Sequence, residues 1–484
     1  MASGRFITNI FLLIFLNLLI KPAWVFLIDR NVQLQVGHAA YGLYNALFSL
    51  SIIFSILLDV GITNFNNKRI ASDTKLLDTT LPNLLIAKLL LAPLFTLSLL
   101  GVGYLLNYNS HALYLLFLLA LTQILSSLLL FLRSNISGHH DFKIDSFLSV
   151  LDKLLMILLS AYFLFGPTGG EFSIRWFLYI QIFSTALACL TAWFIIQFRY
   201  QRFNPARIHK TEMLALIKSS LPYAALILLM SIYIRSTPLI LERLAGATEN
   251  GLFAEAFRIL DMLNMLGYLF AGMLLPMFAR MMANKEAIHA LLRNSTNILM
   301  SISIAATAWA VIYARETMHL LYQDDSDTLT TLYRFILFSL PAMSLMNIYS
   351  TLLTAAGALN QLIRIAAWGS AMSLLGGFVL IYFFRSTGAA ISFCSIQWVL
   401  GIWYIVASQK KLKLYTNLPW LMRFTIFFLV LALSNFVLHF IGTSLSLSLV
   451  LNVPLYVGYL LATRLVNFRE IRSLIKQLSP GNSV

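Results

Sequence analysis

Fourteen apolar runs, each close to twenty residues long, leave this chain one kind of solvent to fold in. They lie at 6–28, 41–63, 82–106, 111–132, 146–166, 174–198, 219–241, 252–279, 296–314, 332–356, 362–384, 388–407, 421–441 and 446–464. A helix of about 20 apolar residues spans the hydrocarbon of a bilayer. Inside lipid the backbone has to satisfy its own hydrogen bonds, so such runs form helices. Only 11% of the residues are charged, against about 25% in an ordinary soluble domain. The expected fold is an all-α integral membrane protein of about 14 transmembrane helices. The first run follows Arg5, carries Lys21 and lacks a small-x-small cleavage site, so it reads as a retained span rather than a signal peptide.

Charge fixes the expected orientation. An even number of spans places both termini on one side. If that side is the cytoplasm, the outer segments hold five cations, Arg30, Arg175, Arg243, Arg315 and Arg385. Six more lie within or at the margins of spans, and the rest of the 34 Lys and Arg fall inside. This is the positive-inside bias, and one missed span would destroy it. The same bias accounts for the net charge of +15 without nucleic acid. The two cysteines, Cys189 and Cys394, lie in apolar runs without metal-ligand spacing. His139-His140-Asp141 reads as a solvated loop. There is no G-x-x-x-x-G-K-[ST] loop, hence no ATPase engine, and no hydrolase or paired-histidine zinc motif. No cofactor is expected and the chain does not read as an enzyme.

The basic segment 199–218 reads as a linker between two six-helix lobes, 1–209 and 210–415, followed by a helix pair in 416–464. The tail 465–484 spaces Leu465, Phe468, Ile471, Leu474, Ile475 and Leu478 at helical intervals with a basic opposite face. It reads as an amphipathic helix on the anionic cytoplasmic leaflet or as an extension of the last span. The acidic outer segment 314–331 reads as solvated.

The two lobes read as copies. Span two opens Gly42-Leu-Tyr-Asn-Ala-Leu-Phe48 and span eight opens Gly251-Leu-Phe-Ala-Glu-Ala-Phe257. Lys21-Pro22 in span one resembles Arg235-Ser-Thr-Pro238 in span seven. Six spans apart, the copies share one orientation, a parallel repeat. Proline frees a backbone carbonyl and bends a spanning helix. Pro22 and Pro238 are therefore candidate bending points, or static kinks.

A charge at membrane depth costs roughly 3 kcal/mol or more, so deep charges need partners or a ligand. The deep cations are Lys21, Lys88, Lys153, Arg235 and Arg258, with Arg334 at a span edge. The deep acids are Asp59, Asp152, Glu255 and Asp261. Glu255, Arg258 and Asp261 sit three apart on one helix face and can pair locally. In the first copy their expected counterparts, Asn45, Phe48 and Ser51, are uncharged. Lys153 can pair with Asp152, and Lys88 can snorkel to the inner surface. The acids are candidates for carrying a coupling ion or for charge pairing.

Tyr41-Gly-Leu-Tyr-Asn-Ala-Leu-Phe48, Leu58-Asp-Val-Gly-Ile-Thr63, Lys68-Arg-Ile-Ala71 and Gly251–Leu260 resemble the bacterial polysaccharide-export flippases of the multidrug/oligosaccharidyl-lipid/polysaccharide exporter superfamily. The resemblance implies two six-helix lobes around a central cavity lined by spans one, two, seven and eight, opening alternately to each side. It implies a C-terminal helix pair that can form a lipid-facing groove. The implied function is translocation of an undecaprenyl-pyrophosphate-linked oligosaccharide from the cytoplasmic to the periplasmic leaflet, for O-antigen-like surface polysaccharide. Lys21, Lys88, Lys153, Arg235 and Arg258 are then the candidate substrate-binding cations, since arginine and lysine replace phosphate's lost water. The implied setting is the bacterial inner membrane. The implied partners are the polyprenyl-linked glycan, membrane lipid, a polysaccharide polymerase and a chain-length regulator. A drug exporter of the same fold and a membrane polysaccharide polymerase or ligase are the alternatives. Short outer loops argue against the enzyme, and cationic depth argues against a carrier of organic cations.

Overall fold

The computed structural model describes residues 19–20, 22–63, 66, 70, 76–139, 141–166, 172–200, 203–204, 207–413 and 418–463. Lys21 and the tail 465–484 lie outside the described residues. All the regular elements described are helices. We label them α1 (24–36), α2 (38–59), α3 (Leu77–Leu105), α4 (Ser110–Gly138), α5 (Phe142–Phe165), α6 (Ile174–Ile195), α7 (Lys210–Ala245) and α8 (Ala247–Ala283). The remainder are α9 (His289–Ile312), α10 (Asp327–Ala355), α11 (359–384), α12 (386–412), α13 (Leu418–Phe440) and α14 (Leu445–Thr463). Among the described residues, eleven helical stretches are long and apolar enough to cross a membrane. Two of those, Trp24–Asp59 and Leu359–Leu412, each contain a reversal, and the shorter α14 adds the fourteenth helix. The protein is a multi-pass, all-helical membrane protein, as the apolar runs require.

The two reversals are sharp. Two helices meet at Gly37, which sits at φ 79°, ψ 165° between the helical residues on either side. Tyr41 donates to Asp29 at 2.8 Å, twelve residues back, which a straight helix would place about 18 Å away. The chain therefore turns back at Gly37. The second reversal is Arg385, at φ 50°, ψ −131°. There the backbone of Gly388 packs directly on the carbonyl of Leu380. The expected outer loop 29–40 is mostly helix, and the expected gap between spans eleven and twelve is one residue. Apolar helices joined this tightly leave no polar loop to read in the sequence. The expected linker 199–218 is also shorter than its charge suggests. Tyr200 ends a π-helical turn and α7 begins at Lys210. Asn83 of α3 pins the strip between them, donating to Arg207 O at 3.1 Å and accepting from His209 N at 2.8 Å.

The chain forms two compact units, Met1–Gly251 and Leu252–Val484. In the first, α3, α4 and α6 share an apolar core built around Leu81, Leu84, Phe131, Leu132 and Ala188. In the second, α10 is the most enclosed helix, with 83% of its most apolar stretch buried, and α13 is among the least, with 22%. α13 and α14 are fastened by polar bonds. Asn452 donates to Asn435 at 2.7 Å, and Trp309 of α9 donates to Ser448 at 3.0 Å. Interhelical side-chain hydrogen bonds act as glue where both helices face lipid. The expected solvated segment 314–331 instead carries a short helix, Ala314–Tyr322, with Thr317, Met318 and Tyr322 buried. Its apolar residues recur three to four apart and form one packed face.

The repeat has an internal register. A shift of 209 residues carries Gly37 to Gly246, Gly42 to Gly251, Tyr44 to Phe253 and Phe48 to Phe257. Gly246 sits at φ 99°, ψ 167°, the same conformation as Gly37. Tyr44 stacks on Phe48 at 5.7 Å and 20°, and Phe253 stacks on Phe257 at 5.7 Å and 19°. The register corrects two expectations. The counterparts of Glu255, Arg258 and Asp261 are Ala46, Ser49 and Ile52, also uncharged. Arg235 corresponds to Phe26 and Pro238 to Asp29, so the cation-proline likeness of spans one and seven is a nearness in sequence and not an equivalence.

Gly37 and Gly246 occupy a backbone region open in practice to glycine alone. Nothing lies within 4 Å of a Cβ built on either, so the cost of a side chain there is purely conformational. Gly37→Ala and Gly246→Ala should each destabilise the fold by about 1–3 kcal/mol, read as a lowered melting temperature in detergent. An unchanged melting temperature for both would show that the turns do not need this backbone.

Candidate functional site

The break at the end of α2 explains the deepest cation. After Asp59 the chain enters the left-handed region at Val60 (φ 45°) and Gly61 (φ 78°). That leaves carbonyls at a helix C-terminus inside the membrane, where a cation is favoured. Lys88 of α3 supplies it. Its Nζ lies 2.6 Å from Asp59 Oδ1, 2.7 Å from Ser127 Oγ of α4 and 3.3 Å from Leu58 O. The Phe131 ring centre is 5.8 Å away. Asp59 also accepts from the backbone N and the hydroxyl of Thr63. Lys88 is 5% exposed and does not snorkel. The structure brings these two candidates together as a closed ion pair.

Lys153 and Arg235 have a different setting. Lys153 Nζ is 3.6 Å from Asp152 and 5.6 Å from the centre of the Trp24 ring. Trp24 stacks on Phe177 at 5.7 Å, Phe177 meets Tyr44 edge-on at 5.6 Å, and Tyr44 stacks on Phe48. The Arg235 guanidinium lies 6.0 Å from the Phe48 ring centre. One row of rings from α1, α6 and α2 thus runs between a cation on α5 and a cation on α7. Gln181 braces it by donating to the Tyr44 hydroxyl at 3.3 Å. An aromatic face attracts a cation through its quadrupole, by about 0.5–2 kcal/mol, without cancelling its charge.

Pro22 precedes a π-helical segment, Trp24–Asp29, which turns Trp24 into this row. Pro238 is buried within α7, which stays helical on both sides of it. In the second unit Glu255 is 2% exposed while Arg258 and Asp261 are half-buried. The Tyr322 hydroxyl donates to the Glu255 carbonyl at 3.3 Å.

Sequence reasoning missed one polar group at depth. Asp29 is 2% exposed, accepting from Gln33 at 3.1 Å and Tyr41 at 2.8 Å. Read as the first residue of a loop, it attracted no attention. The signal was present in the i, i+4 spacing of Asp29 and Gln33, with Val32 and Val36 at the same helical interval. The ring row was also unread, because its members come from three helices with no shared spacing.

The chain is a multi-pass, all-helical membrane protein with glycine breaks, an internal repeat and charged side chains within its apolar helices. Over residues 7–282 the chain matches the family described as polysaccharide biosynthesis protein. That is more than half of its 484 residues, and the chain belongs to this family. No curated protein matches it by sequence. Its fold is similar to that of the lipid II flippase MurJ in an inward closed conformation (TM-score 0.66, 12% identity), covering 94% of this chain and 98% of that one. It is similar to the Vibrio cholerae MATE transporter VcmN (0.63, 16% identity, 85% and 98% covered). It is also similar to a MOP superfamily transporter from Pyrococcus furiosus, described as having a binding pocket of reverse polarity (0.59, 16% identity, 85% and 95% covered).

The closed pair has a measurable consequence. Lys88→Met would leave the Asp59 carboxylate without its cation and should cost about 3–5 kcal/mol. The melting temperature in detergent should fall, and Lys88→Met combined with Asp59→Asn should recover part of the loss. Full stability of the single variant would remove the pair from the fold's framework.

Proposed function

We propose that this protein flips an undecaprenyl-pyrophosphate-linked oligosaccharide from the cytoplasmic to the periplasmic leaflet of a bacterial inner membrane. The observation that carries the reading is a flippase-like fold in a chain of a polysaccharide biosynthesis family. The pyrophosphate is the part of such a substrate that hydrocarbon excludes. Cations within the spans replace its water through charge-assisted hydrogen bonds. We assign that task to Arg235 and Lys153, the cations at the two ends of the ring row. Lys88 serves the fold. The prenyl tail stays in lipid, and the chemistry is movement rather than bond-making. Substrate drives the cycle only as far as it binds the inward-open and outward-open states with different affinity. The glycan would be handed on to a polymerase and chain-length regulator for O-antigen-like assembly.

Arg235→Ala should lower surface polysaccharide by about tenfold at unchanged protein level, the scale of one charge-assisted hydrogen bond. Arg235→Lys should retain part of the output, because the charge survives and the planar fork does not. Wild-type output from Arg235→Ala would exclude that residue from headgroup binding. Drug resistance conferred by the wild-type protein, with no change in polysaccharide on its deletion, would favour an exporter of small molecules instead.

The orientation has its own check. A reporter active only in the periplasm, fused after Val484, should be silent. A signal there would place the C-terminus outside and overturn the direction of transport.

A further inference from the structure

The α7–α8 turn is held to α2 and to the α3–α4 loop by two independent devices, both within the first unit. The first is a reciprocal helix crossing. A Cβ on Gly42 would overlap the Ala247 carbonyl oxygen, and a Cβ on Gly251 would overlap the His38 carbonyl oxygen. The shift of 209 residues exchanges these two contacts, carrying 38 to 247 and 42 to 251. Equivalent surfaces of the two copies therefore meet face to face about a local twofold axis. Asn250 seals the crossing by donating to Gly42 O at 2.7 Å, with Asn45 donating to Asn250 Oδ1 at 3.5 Å. Asn250 is fully buried.

The second device closes the rim. Tyr108, in the α3–α4 loop, donates to Glu242 at the end of α7 at 2.8 Å. The Arg243 guanidinium lies over the Tyr108 ring at 3.5 Å, pairs with Glu242 at 2.8 Å and donates to Leu106 O at 2.8 Å. Burial, and then the adjoining Glu242 carboxylate, raise the Tyr108 phenol above its ordinary value, so it stays a donor.

The crossing and the rim differ in kind. The crossing depends on shape, through two glycines that let backbones touch. The rim depends on charge and one aromatic face, groups that water can replace. A contact whose polar groups are rehydrated on opening can be broken and remade, whereas a packed apolar core cannot.

We propose that the α7–α8 turn is an outer latch. The Gly42/Gly251 crossing is its seat, and the Tyr108–Glu242–Arg243 cluster is the catch that holds it shut. The turn has to leave α2 and the α3–α4 loop for the outer face to open. The inference rests on the alternating-access reading and on the orientation with both termini inside.

The test needs no substrate, so it stands or falls apart from the glycan assignment. Replace Cys189 and Cys394 by Ala in the full chain and introduce Ala46→Cys. Ala46 is fully buried, one turn beyond Gly42 on the same face of α2. Apply a membrane-impermeant maleimide from outside. The latched protein should label weakly. Tyr108→Phe combined with Glu242→Gln should raise the labelling rate by about fivefold, the population shift of one net hydrogen bond. Gly42→Ala should raise it further, because its Cβ unseats the crossing. If Gly42→Ala does not accumulate, the rim variant decides alone. Strong labelling of the latched protein, or no rise on breaking the rim, would overturn the proposal.

Discussion

A charge carried into hydrocarbon must find its counterpart within the protein, and Lys88 shows how fully it can do so. Lys88 meets a carboxylate, a hydroxyl and a carbonyl freed by a broken helix. Every one of those groups would be costly without it, so the cation completes the fold. Arg235 and Lys153 lie beside aromatic rings. A quadrupole lowers the cost of keeping a cation at depth yet leaves its charge to act on an anion.

The neighbours come from other helices, which is why the sequence separates fold from site so unevenly. Span number follows from run length, since lipid forces helices and each run has only one thickness to cross. The expected span orientation rests on cation bias. Both are sums over many residues and tolerate local error. The partner of Lys88 is one residue, 29 positions away, across a helix break that the string Leu58-Asp-Val-Gly61 does not announce. The ring row draws on Trp24, Tyr44, Phe48 and Phe177, whose spacing is meaningless until the helices are packed. Asp29 was hidden for a further reason. Polar residues next to an arginine read as a loop, and here they are the outer turns of a helix that reverses only at Gly37.

The repeat shows how local pattern and structural register differ. Glycine and aromatic positions of the two copies coincide at one shift, because backbone conformation and ring stacking are properties of the hairpin itself. Lys21-Pro22 and the Arg235–Pro238 stretch looked alike because both put a cation near a proline, yet the register sets Pro238 against Asp29. A proline can bend a spanning helix at several positions with similar effect. A glycine turn at positive φ cannot slide by a residue without stranding a side chain in forbidden space. Registers of membrane repeats are therefore better taken from such turns than from kinks.

That distinction bears on how the copies have diverged. Equivalent backbones meet at Gly42 and Gly251, so shape there has to satisfy both sides of the crossing at once. A substitution at either glycine injures the same contact. One and two turns further on the copies differ in charge: Ala46 stands against Glu255, and Ser49 against Arg258. Symmetry is kept where backbones touch and given up where side chains face other partners. The shared turns keep the two hairpins mechanically alike, while the unshared charges let one hairpin differ from the other in what it attracts.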